Sequence, residues 1–422
     1  MLEGNTNMTV ARAAAKQPAK TWTCLGCAHD TVELVIDLGA QPPSNRFLRA
    51  IEEPVERHSL RVGQCRDCAL LQLIVPMPVK LTRPRVGWLS YSEPEAHLDS
   101  VCERLWALPG MPRQPHVLGL SYKDDSTLAR LARAGAQTYR FDLAADWNVC
   151  EPHAQLETLQ QAATPERAAL LARQYGPADV LIARHILEHA HRPRAFVEAV
   201  LPLVKPGGYL VFEVPAGEKM IAAADHAMLW EEHVVYFTKA TLERFFHAAS
   251  LPAELWQYAY VLEDSLLAIV RNVPASPSLD PTRADAELEA GKALEAQFGA
   301  SRTAYHAQLG VWRAHGKRVA LFGAGHLALK FVNFYGLSDL IDCVIDDNPN
   351  KQGTYLPGSC LPVVGSSILR DRAVDFCLMA LNPDREAAII AAHSPFTASG
   401  GTFYSIFRCS PIALRPSSGS SL

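Results

Sequence analysis

Four of the ten cysteines in this 422-residue chain form its clearest chemical pattern. They occur as two pairs, with two residues between the members of each pair: Cys24, Cys27, Cys65 and Cys68. Each pair can turn two thiolates toward one point, and four thiolates make the tetrahedral set that zinc prefers. Because such a set leaves no open position, the spacing predicts a structural zinc site. Four unrelated buried thiols or a redox dithiol are the weaker alternatives, since neither pair opens a thioredoxin-like unit.

A second group of reactive residues lies near the middle of the chain. Glu232, His233 and Tyr236 are close together in one run, and His189 ends an earlier polar segment. A carboxylate beside an imidazole can orient it and raise its basicity, so Glu232 and His233 are candidates for general acid–base work. A histidine with a purely structural role would have the same spacing, and the pattern alone leaves both interpretations open.

Strand-like and helical segments alternate around these residues and indicate an α/β fold. Apolar runs separated by helical periodicity are typical of a parallel sheet covered by helices on both faces. The same alternation returns after a proline-rich stretch and a long helix. We expect a disordered tail (1–21), a small β-rich zinc-binding domain (22–80), a central α/β domain (81–272), a linker and helix (273–316), a second Rossmann-like domain (317–410) and a disordered tail (411–422).

The second α/β pattern opens with a glycine-rich turn. Gly323, Gly325 and Ala328 follow a strand-like run, and Asp346 and Asp347 end the next one. This order matches a dinucleotide fingerprint, in which a helix N-terminus receives phosphate and an acid binds the ribose. A domain that only supports the fold or closes over a substrate can carry the same turn, so both interpretations stay open.

Composition argues against several functional classes. The chain has 40 Lys and Arg against 44 Asp and Glu, a formal charge of −4, which does not suggest a nucleic-acid binder. No apolar run reaches the roughly 18 residues of a membrane-spanning helix, and the first residues lack the apolar core of a secretory signal. We expect a cytoplasmic protein with a small-molecule substrate and no nucleic-acid or membrane partner. The oligomeric state is not indicated.

Taken together, these stretches resemble the sugar C-methyltransferase family. The resemblance rests on the cysteine pairs and on residues 37–47, 183–189, 213–215, 232–237, 323–325, 346–353 and 357–358. It implies a zinc-binding domain, a class I methyltransferase domain that uses S-adenosylmethionine, and a Rossmann-like C-terminal domain. The implied reaction belongs to the biosynthesis of secondary metabolites. It removes a proton from a carbon next to a carbonyl and then adds a methyl group to that carbon.

The resemblance also implies roles for individual residues. His233 is the expected base, and the groups that support it are Glu232, His189 and Tyr91. S-adenosylmethionine is expected to contact Gly119, Ser121, Tyr122, Asp142, Arg184 and His185. The implied substrate is a small molecule that is sugar-like or attached to a carrier.

One part of the sequence departs from the family pattern. Residues 117–125 lack both glycines of the family's cofactor loop, and Glu263 and Asp264 stand where the family has two glycines. Glycine lets a backbone approach a ligand closely, and carboxylates repel an anionic one. Two alternatives therefore stay open. The chain is a relative that keeps only the proton chemistry, as an isomerase, epimerase or lyase, or it is a non-catalytic partner protein.

Overall fold

The computed structural model describes residues 21–89, 93–273, 284–371 and 373–415. Three sheets follow one another along the chain, which confirms the predicted α/β class with a small β-rich N-terminal region. Among the helices of these residues, none combines the length and the apolar composition needed to cross a bilayer.

The strands and helices are numbered in chain order. The strands are β1 (Val32–Gln41), β2 (His58–Cys65), β3 (Leu71–Leu73), β4 (His116–Gly119), β5 (Gln137–Arg140), β6 (Ala178–Arg184), β7 (Val204–Ala216), β8 (Val235–Tyr236), β9 (Ala253–Tyr258), β10 (Asp264–Arg271), β11 (Val319–Phe322), β12 (Cys343–Ile345), β13 (Val363–Val364), β14 (Phe376–Met379) and β15 (Thr402–Ser405). The helices are α1 (Val79–Thr82), α2 (Leu98–Trp106), α3 (Asp125–Arg133), α4 (Leu156–Ala162), α5 (Pro165–Tyr175), α6 (Pro193–Val200), α7 (Glu218–Ala223), α8 (Lys239–Ala248), α9 (Asp285–Ala314), α10 (His326–Tyr335), α11 (Ser367–Arg370), α12 (Glu386–Ala392) and α13 (Ser394–Ala398).

The N-terminal sheet is antiparallel and has the order β1-β2-β3-β8. Its last strand comes from the central part of the chain, where Tyr236 pairs with Leu71 of β3. Two residues earlier, the carbonyl of Val234 accepts a hydrogen bond from the backbone amide of Leu73 at 2.8 Å. Because β8 begins two residues after His233, this pairing fixes the His233 segment against the zinc-binding region.

The central sheet has the order β5-β4-β6-β7-β10-β9. Its first four strands are parallel, and β10 runs antiparallel between β7 and β9. Leu181, Leu210 and Phe212 are fully buried, as expected for inner strands covered on both faces. The carboxyl ends of β4 and β6 meet at one edge, the place where open α/β sheets bind ligands.

The C-terminal sheet is parallel throughout, with the order β13-β12-β11-β14-β15. The long helix α9 precedes it and packs against β1, α7 and α10. The helix therefore links all three parts of the chain along its length.

The expectation that residues 411–422 form a disordered tail is wrong for its first residues. Ala413 forms a bridge with Ser405, and the amide of Leu414 donates to the carbonyl of Ser405 at 2.8 Å. Leu414 is also buried in the C-terminal core, and this apolar contact holds the segment in place. The rest of that segment (416–422), the N-terminal stretch 1–20 and the predicted linker residues 274–283 lie outside the described residues.

A buried ion pair joins the three parts of the chain. The Nζ atom of Lys330, on α10, lies 2.5 Å from Oε2 of Glu231, and both side chains are completely buried. Ser44 of the N-terminal part donates its backbone amide to Oε1 of Glu231 at 2.5 Å and its hydroxyl to Oε2 at 3.3 Å. One carboxylate of the central part therefore holds both the N-terminal and the C-terminal parts.

We predict that Lys330→Met lowers the free energy of unfolding by about 3–5 kcal/mol, because it leaves the Glu231 carboxylate buried without its cation. Urea unfolding followed by tryptophan fluorescence measures the loss. The double variant Lys330→Met/Glu231→Leu should regain part of it, since both charges are then removed while the buried Ser44 amide loses its acceptor. Lys292→Met is the control, because the pair of Lys292 with Glu289 is exposed on α9. Equal losses in Lys330→Met and Lys292→Met would contradict the prediction.

Candidate active site

A cavity of about 320 Å³ lies at the carboxyl edge of the central sheet. Five of the predicted site residues line it: Tyr122, His185, His189, Glu232 and His233. His326 and Asn382 of the C-terminal part line the same cavity. Both α/β domains therefore contribute to one site.

Two histidines and a glutamate converge on one side of this cavity. An oxygen of Glu188 and a ring nitrogen of each of His189 and His233 lie within 4.8 Å of one another. The two imidazole rings are nearly perpendicular, with centroids 4.9 Å apart. Burial lowers the pKa of both imidazoles, that of His189 well below its usual value, so both are neutral at neutral pH. A neutral imidazole is the form that can accept a proton.

Glu232 lines the cavity but reaches toward the N-terminal part. Its Oε1 lies 3.5 Å from the side-chain amide of Asn45. Burial, together with the neighbouring Glu231, raises the pKa of Glu232 well above its usual value. Its surroundings therefore favour the neutral acid, a form that donates a hydrogen bond, over a charged partner for His233.

Glu213, near the end of β7, organises the cationic side of the cavity. Its buried carboxylate accepts from Nε of Arg184 at 2.5 Å and from the hydroxyl of Ser265 at 2.7 Å. Nε2 of His185 and Nε2 of His97 lie 3.2 and 3.0 Å from Oε1 of the same carboxylate. Although burial opposes it, Glu93 and Glu213 raise the pKa of His185 to about 10. His185 therefore carries a positive charge at neutral pH.

The turn after β4, where the resemblance places the cofactor, is built on side-chain hydrogen bonds. The buried carboxylate of Asp124 accepts from the backbone amides of Ser121 at 2.8 Å and Arg184 at 2.9 Å. Nζ of Lys123 lies 2.9 Å from Oε1 of Glu93. These bonds give the turn a fixed shape without the missing glycines and place a lysine beside the cavity.

Two further predicted cofactor residues have clear structural surroundings. Gly119 ends β4, and a Cβ atom there would lie 2.6 Å from Cδ1 of Leu128 on α3. The absence of a side chain at Gly119 therefore allows α3 to pack closely against the end of β4. Asp142 is exposed, and its Oδ1 accepts from the amides of Ala144 and Ala145 at 2.9 and 2.8 Å.

Sequence reasoning singled out some site residues and missed others. Tyr91 lies outside the described residues. The residues that line the cavity without having been predicted include Glu93, Lys123, Glu188 and His326. Lys123 and Glu188 stand within the segments that were singled out, so the polar residues of those segments were the available signal. Glu93 and His326 come from distant parts of the chain, and no local spacing connects them to the site.

The glycine-rich turn of the C-terminal part faces the cavity. His326 begins α10, and its ring stacks on Trp230 with centroids 4.3 Å apart. Asp346, the acid that a ribose would need, accepts from the amide of Ala324 at 3.0 Å and from Nζ of Lys351 at 2.7 Å. The carboxylate of Asp346 is therefore already engaged by groups of its own domain.

The four cysteines converge as predicted. Sγ of Cys24 lies 3.5 Å from Sγ of Cys68, and Sγ of Cys27 lies 3.6 Å from Sγ of Cys65. Tetrahedral zinc with sulfur ligands at about 2.3 Å needs sulfur atoms about 3.8 Å apart, so the four thiols fit this ion. Backbone amides of Gly26 and Cys68 point at Cys24 Sγ and Cys65 Sγ, at 3.3 and 3.5 Å. Such donors stabilise the thiolate form that binds zinc.

Three family models match successive segments of the chain. A zinc binding domain matches residues 24–79, and a methyltransferase domain matches residues 91–252. The third model, a C-methyltransferase C-terminal domain, matches residues 284–407. Their order along the chain is the order that the resemblance implied.

Short segments of the chain are similar to two proteins described as ubiquinone biosynthesis O-methyltransferases. The one from Paraburkholderia xenovorans (strain LB400) is 50% identical over 44 residues, 10% of this chain and 19% of that protein. The one from Albidiferax ferrireducens is 41% identical over 87 residues, 19% of this chain and 34% of that protein. The chain therefore spans about a fifth to a third of the length of these relatives.

A solved structure with similarity to the chain is the 1,6-didemethyltoxoflavin-N1-methyltransferase of Burkholderia thailandensis, crystallised with 1,6-didemethyltoxoflavin and S-adenosylhomocysteine. Its sequence is 16% identical, and the match covers 42% of this chain and 79% of that one with a TM-score of 0.29.

We predict that the purified chain holds one zinc ion and that Cys68→Ser loses it, because three thiolates bind zinc much more weakly than four. Metal analysis by inductively coupled plasma mass spectrometry gives the stoichiometry. Cys150→Ser is the matched control, since Cys150 is exposed and lies outside the four-cysteine cluster. Full zinc content in Cys68→Ser would show that the four thiols are not the site.

Proposed function

We propose that the chain transfers a methyl group from S-adenosylmethionine to a carbon atom of a small molecule. Support comes from the three family models that its successive segments match: a zinc binding domain, a methyltransferase domain and a C-methyltransferase C-terminal domain. The observation that carries the proposal is the cavity at the carboxyl edge of the central sheet, where a neutral His233 faces polar groups from both α/β domains.

The carboxyl groups of the cavity support this cofactor. S-adenosylmethionine carries a positive sulfonium and an ammonium group, and five carboxyl side chains line the cavity as charge partners or hydrogen-bonding groups: Glu93, Glu157, Glu188, Glu232 and Glu263. Although burial opposes it, His185 and Lys123 lower the pKa of Glu93 to about 2, whereas burial raises the pKa of Glu157, Glu232 and Glu263. The residues proposed to hold the cofactor are Gly119, Ser121, Tyr122, Asp142, Arg184 and His185. When bound, the cofactor supplies a methyl group that a carbanion can attack.

The chain's own residues are proposed to perform the proton chemistry. His233 takes a proton from a carbon next to a carbonyl, and negative charge develops on the carbonyl oxygen. Hydrogen-bond donors stabilise this charge. The donors proposed for this role are His189, Tyr91 and the neutral acid form of Glu232. Such donors are needed because an imidazole alone is too weak a base for a carbon acid.

The proposed substrate is a small carbonyl compound of secondary metabolism, either sugar-like or attached to a carrier. We place the reaction in the cytoplasm, because a site of four reduced thiols is typical of a reducing compartment.

Lys123 favours a second candidate function, proton transfer without a methyl donor. Its ammonium group lies beside the cavity, where the like charge of a sulfonium would be repelled. The pair with Glu93 offsets this charge, which is why methyl transfer remains the first candidate.

Binding of S-adenosylhomocysteine, measured by isothermal titration calorimetry, separates the two candidates. We expect wild-type protein to bind it and Asp142→Asn to bind about tenfold more weakly, because the charged acceptor for the ribose is lost. His233→Ala should keep the affinity, since this imidazole is proposed to act on the substrate. If neither S-adenosylhomocysteine nor S-adenosylmethionine binds to the wild-type protein, methyl transfer is contradicted and proton transfer alone is favoured.

A further inference from the structure

We propose that Glu188 is the carboxylate that pairs with His233 when this imidazole takes up a proton, and that it thereby positions the base. The inference rests on the proposed function, in which His233 is the base. It assigns to Glu188 the role that was expected for Glu232 because Glu232 is adjacent to His233 in the sequence.

The surroundings of Glu188 are unusual for a buried carboxylate. The side chain is only 2% exposed and lines the cavity. Within the part of the chain that the structure describes, neither of its oxygens accepts a hydrogen bond, and Nδ1 of His185 lies 3.6 Å from Oε1. A buried carboxylate without hydrogen-bond donors is costly, and the charged His185, whose Nδ1 is in ion-pair contact at 3.6 Å but too far for a hydrogen bond, offsets only part of this cost. Glu188 can therefore still take a second cationic partner.

The backbone holds Glu188 and His233 near each other. The amide of Val234, the residue after His233, donates to the carbonyl of Glu188 at 2.7 Å. The same segment continues into β8, which is paired with β3. The approach of the carboxylate to the imidazole is therefore set by the backbone, and ring nitrogens of both His189 and His233 lie within 4.8 Å of a Glu188 oxygen.

The other charged and titratable groups that face His233 leave Glu188 as its counter-charge. Lys123 and the protonated His185 oppose a proton on His233, whereas Glu93 and Glu188 favour it. Glu93 pairs closely with Lys123 at 2.9 Å, whereas the charged partner of Glu188, His185, is farther away at 3.6 Å. Burial shifts the pKa values of other titratable neighbours toward the uncharged form: His189, His326, Glu232 and Tyr236.

The transfer of the proton from the substrate to His233 requires no further reactant. The carbon–hydrogen bond of the substrate breaks, its proton goes to a ring nitrogen of His233, and its electron pair forms the enolate. The imidazolium that results is attracted by Glu188, which lowers the energy of the state in which charge has separated.

Nuclear magnetic resonance of the full chain with isotope-labelled histidine tests this role without a substrate. The His233 signal is assigned by its loss in His233→Asn and is followed over pH in each variant. In Glu188→Gln the protonated fraction of His233 at a given pH should fall about tenfold, because the favourable charge is gone. Glu188→Asp, which keeps the charge, should restore most of it, and Glu232→Gln should leave the titration unchanged. Zinc content and thermal unfolding report on the fold of each variant.

Three outcomes would overturn the assignment: identical titration of His233 in wild type and Glu188→Gln, a fall in Glu232→Gln alone, or a second metal ion per chain that Glu188→Gln loses. The last would make Glu188, His189 and His233 a metal site. Calorimetry with S-adenosylhomocysteine on the same samples distinguishes failure of the proposed function from failure of the Glu188 assignment. If the wild-type protein does not bind S-adenosylhomocysteine, the proposed function fails, whatever the His233 titration shows.

Discussion

The contact between Glu231 and Lys330 determines where the loop before β8 lies. Opposite charges removed from water are tolerated only in close contact, so this pair leaves α10 and the loop essentially one relative position. Trp230 and His233 flank Glu231 along the chain, and His326 stands one turn before Lys330 on the same face of α10. The stacking of His326 on Trp230 and the closure of the cavity therefore follow from a contact just outside it.

The cavity divides into a charged side and a neutral side. On the charged side His185 lines the cavity, and Glu213, which lies behind it and also pairs with Arg184, keeps this imidazole protonated. His189 and His233 stay neutral on the other side because burial disfavours their charged forms. Such a division allows one group to hold a fixed charge while another is free to exchange a proton, which is the arrangement that acid–base enzymes need.

How much of this molecule could be predicted from sequence depended on how local each signal was. The zinc ligands were predictable because the two cysteines of each pair, such as Cys24 and Cys27, are only three positions apart in the sequence. Glu232 was assigned to His233 because the two are adjacent, yet adjacent side chains point in different directions, and Glu232 reaches Asn45. Glu188 is 45 positions before His233, and only tertiary folding brings the two together. The order around Leu414 likewise depends on a long-range contact with the C-terminal core.

Strand β8 has only two residues, and a strand that short has no stability of its own. It exists because β3 of the zinc-binding region offers it an edge. The N-terminal sheet is therefore incomplete without the central part, and the His233 segment loses one of its supports without the N-terminal part. The zinc-binding region and the central part therefore depend on each other for their folded structure. If recombination moved either region into another protein, the new neighbour would have to provide a strand edge that pairs as β3 and β8 do here.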